Sequence, residues 1–378
     1  MMSSSSSSSS SSLIEDDINK VVLKEDSILS NTDIVFLDKL IWNHIKKHDL
    51  DKDDCLDCVM LSKFIYNDKN NNKKFDKKLI SNRLKTIKKY RKKLLNLKIL
   101  PLIKQRTPEW FELRKDRLTA SDLYDAVKKS NLSLIKKKAG IIVDDTNFNE
   151  IPPLKWGTMF EEMATRCYSQ RHDDILINEF GLIPDKKLQH FGASPDGISE
   201  LGIMIEIKCP YSRQIKDGFI PPKYYSQIQG QLAVCELNEC DYIECNFKAF
   251  KTDEEYFLEI NKDEIKDHGI IAEFKISNSN EYYYLYSLEN LKPNEAYDYI
   301  TKSVSFELTN NNTLTFIKLT PWKLEQINIQ RVYFNENEWI EISPKIDIFW
   351  EKVESSRGLP IEYKKKAEVQ KFNFINDD

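Results

Sequence analysis

Apolar residues recur at helical spacing through the first hundred positions. Ile34, Val35, Phe36, Leu37, Leu40, Ile41, Trp42 and Ile45 form one face, and Leu84, Ile87, Leu94 and Leu97 form another. Residues 13–104 therefore read as mostly helical, interrupted by a polar break from Asn67 to Asn72. Farther along, the period changes. Trp156 to Gln170 reads as a helix, Ile175 to Leu182 as a strand, and His190 to Asp196 leads into a turn at Pro195-Asp196-Gly197. Ile203 to Lys208 alternates and is rich in β-branched residues, which predicts a strand ended by Pro210. Tyr224 to Cys235 suits a helix. Asp241 to Phe250 and Glu255 to Ile260 read as two more strands, and residues 270–340, rich in aromatic and β-branched residues, as further strands. Ser343-Pro344 reads as a helix start, serine as the N-cap and proline in the first turn, with Ile346, Phe349, Trp350 and Val353 as its apolar face.

Composition divides the chain further. Ser3 to Ser12 is an unbroken serine run that cannot bury apolar surface, so residues 1–12 read as a flexible tail, open to phosphorylation. A helical, basic extension follows over 13–104, a core over 105–265, strands and a closing helix over 266–356, and a charged tail over 357–378. Within Lys73–Lys98 stand 12 basic residues against the single acid Asp76. Two readings of that segment stay open: a solvated face on a packed helix, or a helix that tracks a phosphate backbone or serves a protein partner. Eight of the ten glycines fall between Gly140 and Gly230, so the demanding backbone geometry is expected there. No apolar run approaches the roughly 18 residues that span a bilayer, and no secretory leader is visible, so a membrane role is not expected. Seven cysteines, an odd number spread along 378 residues, read as reduced thiols in an intracellular compartment. Cys55-x-x-Cys58 invites a zinc or iron–sulfur reading, but the later Cys235, Cys240 and Cys245 step evenly by five across a helix–strand junction and form no compact ligand knuckle, so a metal role for the cysteines is not expected. Cys209 and His190 read as packing residues and His172 as a surface residue.

The net charge of −4 does not advertise a nucleic-acid binder, but it averages over patches of opposite sign. The chemistry lies in Ser194-Pro195-Asp196-Gly197 followed by Ile205-Glu206-Ile207-Lys208. One carboxylate sits on a turn, a second on a strand, and Lys208 shares a strand face with Glu206. Phosphodiester hydrolysis needs hard oxygen ligands for Mg²⁺, an activated water and an offset for developing negative charge. Asp196 and Glu206 supply carboxylate oxygens, the Ile207 carbonyl a neutral one, and Lys208 can orient or help deprotonate water. Glu-x-Lys alone would read as a structural ion pair; the Pro-Asp-Gly turn upstream reverses that preference.

This block resembles the PD-(D/E)XK nucleases, and more narrowly the lambda exonuclease and YqaJ-type viral recombinase branch. Three more segments share the resemblance. In Trp110, Leu113-Arg114 and Leu118-Thr119-Ala120-Ser121, it implies that Arg114 and Ser121 grip a DNA phosphate, although a serine before a helix is by itself an N-cap. In Trp156-Gly157-Thr158-Met159-Phe160-Glu161 it implies a metal ligand at Glu161, with Glu162 facing elsewhere. In Tyr224-Tyr225-Ser226-Gln227-Ile228-Gln229 it implies that Gln227 stands near metal and nucleophile, Gln229 less securely, and Tyr224 near DNA.

The resemblance covers about residues 106–250, and less surely the helix at 343–355. It implies an α/β fold with a central mixed sheet flanked by helices, extended by the N-terminal helices and a β-rich C-terminal insertion. It further implies a magnesium-dependent deoxyribonuclease with one or two ions, Mn²⁺ substituting, that acts on duplex DNA ends in the 5′→3′ sense. Such an enzyme leaves 3′ single strands for a single-strand annealing partner and forms a homo-oligomer. Together with abundant Lys, Asn and Ile, it points to a large DNA virus and a host-cytoplasm or viral-factory location. An endonuclease or repair nuclease on the same core, and a non-catalytic DNA-end-binding scaffold, remain as alternatives.

Overall fold

A computed structural model describes residues 31–48, 77–128, 130–143, 148–261, 265–289 and 291–363. The serine run, the polar break at 67–72, Cys55, Cys58 and the tail beyond Tyr363 lie outside the described residues.

The two amphipathic segments of the N-terminal region are helices, α1 (Asn31–His48) and α2 (Lys77–Lys98). Ile80, Leu84, Ile87, Tyr90, Leu94 and Leu97 of α2 are buried, three or four residues apart, so its apolar stripe joins the main core. Next come α3 (Pro108–Lys115), the short strand β1 (Leu118–Thr119), a 3-10 turn at Ala120–Asp122, α4 (Leu123–Val127), α5 (Leu132–Lys138) and β2 (Ile142–Val143). The long α6 (Pro152–Arg171) precedes β3 (Ile177–Asn178), β4 (Ile183–Pro184), β5 (Phe191–Ala193), β6 (Gly197–Ser199) and β7 (Met204–Lys208). Helix α7 (Pro222–Cys235) and strand β8 (Glu239–Ala249) complete the central unit. The C-terminal part contains α8 (Asp253–Ile260), β9 (His268–Ile276), β10 (Tyr282–Tyr286), α9 (Pro293–Asn310), β11 (Leu314–Tyr333), α10 (Glu336–Ser356) and β12 (Glu362–Tyr363).

One seven-stranded sheet runs β10-β9-β11-β8-β7-β6-β3, and it is mixed because β7 and β8 are parallel while the other neighbours are antiparallel. The short strands β1, β5 and β4 form a second sheet. Strand β11 unites the C-terminal strands with the rest: its first half pairs with β9 and its second half with β8. Register shifts at Phe316/Lys318 and Leu324/Gln326 mark irregularities that let one long strand bend between two partners. The fold is α/β with a mixed sheet flanked by helices, as the motifs imply. The strands assigned to 266–356 continue the central sheet.

Three expectations about elements are corrected. Glu255–Ile260 lies in helix α8, because Thr252 caps it by accepting the Glu255 N–H, three acids fill its first turn, and Tyr256 and Ile260 bury one face. Residues 270–340 contain helix α9 as well as strands. Helix α10 begins at Glu336, where Asn335 accepts the Glu338 N–H, so Pro344 is inside the helix and not at its start. Pro344 lies on the exposed side, where a carbonyl left without its N–H partner can be hydrated, while Ile346, Phe349, Trp350 and Val353 hold the other side in the core.

Helix α2 packs at one end of the sheet. Gly202, at φ +76° in the β6–β7 turn, lies so close to Tyr90 that a Cβ there would fall 2.6 Å from its backbone. Only glycine fits both that conformation and that approach. Arg91 donates to the Glu200 carbonyl and Lys98 to the Glu200 carboxylate in the same turn.

Candidate active site

The candidate centre lies toward the far end of β7 from that turn. Antiparallel pairing of Gly197 with Ile205 brings the residue before Gly197 alongside the one after Ile205, so Asp196 neighbours Glu206. The Asp196 Oδ2 accepts the Ile207 N–H at 2.7 Å. Glu206 is fully buried and its two carboxylate oxygens are both engaged. The Lys208 ammonium and Gln227 Nε2 (2.6 Å) donate to Oε1, and Gln231 Nε2 (2.7 Å) donates to Oε2. Gln227 and Gln231 are one helical turn apart on α7, so both point at the strand. Gln231 also reaches the Ser194 carbonyl at 3.3 Å, which ties α7 to the turn that carries Asp196.

Glu161 comes from α6. Phe160 fixes that helix against the sheet by stacking on Phe247 of β8, ring centroids 4.5 Å apart, with Trp156 4.4 Å from Phe160 on its other side. Glu161 accepts a hydrogen bond from Arg106 at 2.6 Å. Glu162 pairs with Arg166 instead, as expected. Burial raises the Asp196 carboxyl well above its usual range, and the nearby carboxylates of Glu206 and Glu161 raise it further, against the opposing effects of Lys208 and the Ile207 N–H. Burial disfavours the charged form of Lys208, but Glu206 and Asp196 outweigh it and hold the ammonium above the usual lysine range.

The donor set can be tested for a divalent cation. Among the described residues, no three His, Cys, Asp or Glu side chains are grouped as ready ligands. The reason is visible: Lys208, Gln227 and Gln231 occupy Glu206, and Arg106 occupies Glu161. Yet three carboxylates interact around Asp196, raising its affinity for a proton. Carboxylate and carbonyl oxygens are the hard donor type that Mg²⁺ and Mn²⁺ take, so the chemistry of Asp196, Glu206 and Glu161 suits such a cation although their side chains are engaged with other partners.

The second group of motif residues forms a basic pocket beside the same turn. The Arg114 guanidinium lies 4.2 Å from the centre of the Trp110 ring and donates to Thr119 Oγ1 (3.1 Å) and Ser121 Oγ (3.4 Å). Trp110 Nε1 donates to Ser194 Oγ at 3.2 Å, which joins this pocket to the Asp196 turn. Ser121 does not act as a simple N-cap: it lies inside the 3-10 turn, and its hydroxyl meets Arg114 and Thr119. Burial lowers the Arg114 pKa, with Asp122 opposing. Tyr224, on α7, has its ring centre 4.9 Å from the Lys208 ammonium.

Sequence reasoning missed four participants. Gln231 had a signal, since it shares the face of Gln227; the paired Gln229 turns away and holds Tyr333 and Asn335 through backbone bonds. Ser194 was quoted but given no role. Lys138, which donates to the Arg114 and Arg117 carbonyls, and Arg106 lack any local pattern. His172 is buried against Tyr168, ring centroids 4.1 Å apart, and is not a surface residue. His190 stacks on Trp350 at 4.6 Å, a packing role as expected. Cys167, Cys209, Cys235, Cys240 and Cys245 are free thiols; burial pushes Cys235 up to about 12. No described helix is long and apolar enough to cross a membrane.

Comparison with known proteins bears on the same segment. Residues 109–238 match the YqaJ-like viral recombinase domain. An uncharacterised protein of Acanthamoeba polyphaga mimivirus is 25% identical over 335 residues, covering 75% of this chain and 60% of that protein. The chain thus spans less than two thirds of that relative's length. Among solved structures, an alkaline exonuclease from Laribacter hongkongensis aligns with 66% of this chain and 94% of its own, at 20% identity and a TM-score of 0.41. A phage-related exonuclease from Haemophilus somnus 129PT aligns with 63% of this chain and 94% of its own, at 11% identity and a TM-score of 0.36. The 109–238 match contains Arg114, Ser121, Glu161, Asp196, Glu206, Lys208, Gln227 and Gln231, whereas Arg106 precedes it. The resemblance read from the motifs therefore holds over residues 109–238, the segment that matches the YqaJ-like viral recombinase domain, with further helices and strands before and after it in the chain.

Proposed function

We propose that this chain is a metal-dependent DNA nuclease that hydrolyses phosphodiesters from duplex ends. The observation that carries this reading is the convergence of Asp196, Glu206 and Lys208 inside a YqaJ-like domain, with Glu161 within electrostatic reach. Asp196, Glu206 and Glu161, with the Ile207 carbonyl, would hold one or two Mg²⁺ ions, with Mn²⁺ as a substitute. The bound cation supplies Lewis-acid stabilisation and a water of lowered pKa.

The chain's own groups do the rest. Lys208, paired with Glu206, orients the attacking water or helps to deprotonate it, and offsets charge at the scissile phosphate. Gln227 and Gln231 fix the Glu206 carboxylate so that it cannot rotate out of place. Arg114 and Ser121 take a phosphate of the DNA end, with the guanidinium held near the Trp110 ring. Tyr224 lines the path beside Lys208. Digestion in the 5′→3′ sense would leave 3′ single strands for an annealing partner in recombination. A homo-oligomer would keep such an enzyme on its track, and a host cytoplasm or viral factory would be its place of work.

Labelled linear duplex and closed circular DNA, each incubated with Mg²⁺ or with chelator, test the proposal. Release of mononucleotides from linear duplex alone, abolished by chelator, is expected. Cutting of closed circles would make the chain an endonuclease or repair nuclease. Tight end binding without any release would leave a non-catalytic scaffold.

A further inference from the structure

Among the described residues, Arg106 is a cation at the centre that no motif supplies. Its backbone adopts φ +69°, in the left-handed region that glycine occupies freely and an arginine does not. The residues on either side are fastened. Gln105 donates to the Phe180 carbonyl at 3.0 Å and to the Pro195 carbonyl at 3.1 Å, the latter adjoining Asp196. Thr107 caps α3 by accepting the Trp110 N–H, and its hydroxyl donates to the Lys104 carbonyl at 2.9 Å. The segment is also pressed against Gly181, where a Cβ would fall 1.9 Å from the Ile103 carbonyl oxygen. The turn is thus built for a fixed path, and at its strained position stands a side chain that gains nothing from that backbone conformation and is well suited to anions. That side chain is 45% exposed, and its guanidinium donates to Glu161 at 2.6 Å while also interacting with Asp196.

Resting on the nuclease reading above, we propose that Arg106 is a positioning residue that exchanges partners: it neutralises Glu161 while the cation is absent, yields that carboxylate to the cation, and turns to a phosphate of the bound DNA. A guanidinium and a divalent cation compete for the same carboxylate, and only the guanidinium can go on to grip phosphate by a charge-assisted hydrogen bond. The exposed half of the side chain gives it room to turn, while the anchored backbone on both sides keeps its pivot in place.

Arg106→Gly tests this, because glycine accepts the backbone conformation and the fold should hold, with a melting temperature equal to or above that of the wild type. Mn²⁺ alone, titrated calorimetrically without DNA, should bind the variant several-fold more tightly. A blunt 5′-phosphorylated duplex, measured by anisotropy in Ca²⁺ over a salt series, should bind about tenfold more weakly, with a log–log salt slope smaller by about 0.9. Arg106→Lys should restore the slope. Unchanged Mn²⁺ affinity or an unchanged slope in Arg106→Gly overturns the exchange and leaves the nuclease reading standing. Failure of the wild type to bind Mn²⁺ overturns the nuclease reading and takes the exchange with it.

Discussion

Two clusters in this chain carry the same formal charges. Around Glu206 stand the carboxylates of Asp196, Glu206 and Glu161 with the cations Lys208 and Arg106. Around Glu239 stand Asp38, Glu239 and Asp241 with Arg83 and Arg331. In the second cluster each arginine bridges carboxylates through several nitrogens. Arg83 holds Asp38 at 2.6 and 2.8 Å and also Glu239, while Arg331 holds Asp241 at 2.6 Å along with Glu239 and Asp38. The hydroxyls of Tyr90 and Tyr168 add donors to Glu239 and Asp241. Burial would raise Glu239, yet the two arginines hold it at about 2. Asp196 moves the other way, well above its usual range, because burial and then the carboxylates of Glu206 and Glu161 raise it, and Lys208 and the Ile207 N–H do not offset them. Equal charge counts therefore give opposite outcomes. Fork-shaped guanidiniums matched to carboxylates make a lock between α1, α2, β8 and β11, whereas in the other cluster Lys208 meets Glu206, Arg106 meets Glu161, and Asp196 has no cation as a hydrogen-bond partner among the described residues.

The largest separation of the two clusters should come from Lys208→Ala. Loss of the group that orients water and offsets charge should lower nuclease turnover per folded molecule by about 10³-fold, with Mn²⁺ binding retained. Near-normal cleavage by this variant would end the assignment of Lys208.

The mirror experiment is Arg331→Met. Removing one member of a buried ionic lock leaves Asp241 with Tyr168 but without its guanidinium, while Asp38 and Glu239 keep Arg83 as their one remaining guanidinium, and should cost roughly 3–5 kcal/mol in urea unfolding. Turnover per folded molecule should hold. An activity loss of tenfold or more at full folding would mean that the lock also shapes the site.

Acid unfolding sharpens the same contrast. Glu239 is depressed to about 2 in the folded chain, against roughly 4.3 for a free glutamate. A depressed carboxylate contributes stability above its unfolded pKa and loses it as pH falls through the folded one. The expected contribution is about 3 kcal/mol, complete above pH about 4.3 and lost toward about 2. Glu239→Gln should flatten that limb of a stability–pH curve; an unaltered limb would remove Glu239 from the lock.

Which of these features could be read in the sequence follows from how local their causes are. The β7 strand, the α7 helix and the triad of Asp196, Glu206 and Lys208 were legible because alternation, helical period and motif spacing lie within a few residues. Gln231 was within reach, since the i, i+4 rule pairs it with Gln227 on one face and sends Gln229 to another. The α8 segment misled because Tyr256-Phe257-Leu258 has β-forming composition, and only the Thr252 cap and the acidic first turn tip it to helix. Pro344 misled because the capping signal at Ser343-Pro344 competes with tertiary burial that carries the helix through it. The ionic lock was illegible: Asp38, Arg83, Glu239 and Arg331 are scattered across the chain and meet only once the sheet is built.

The smallest effect concerns the basic helix, for which sequence allowed either packing or DNA tracking. Its cations divide into two sets. Arg83 belongs to the lock, Arg91 and Lys98 hold Glu200, and Lys93 pairs with Glu236, so these fasten α2 to the sheet and to the end of α7. Lys85, Lys88, Lys89 and Lys92 are exposed. They ride on a helix that packs at the Glu200–Gly202 turn, at the other end of β7 from Lys208. Exposed charges farther apart than a Debye length, about 8 Å at physiological salt, are largely screened from one another. Replacing all four by glutamine should shift the salt slope of duplex-end binding by less than about 1 and leave turnover unchanged. A slope reduced by three or four would instead place the duplex along α2, extending the DNA path across the end of the sheet where the lock resides.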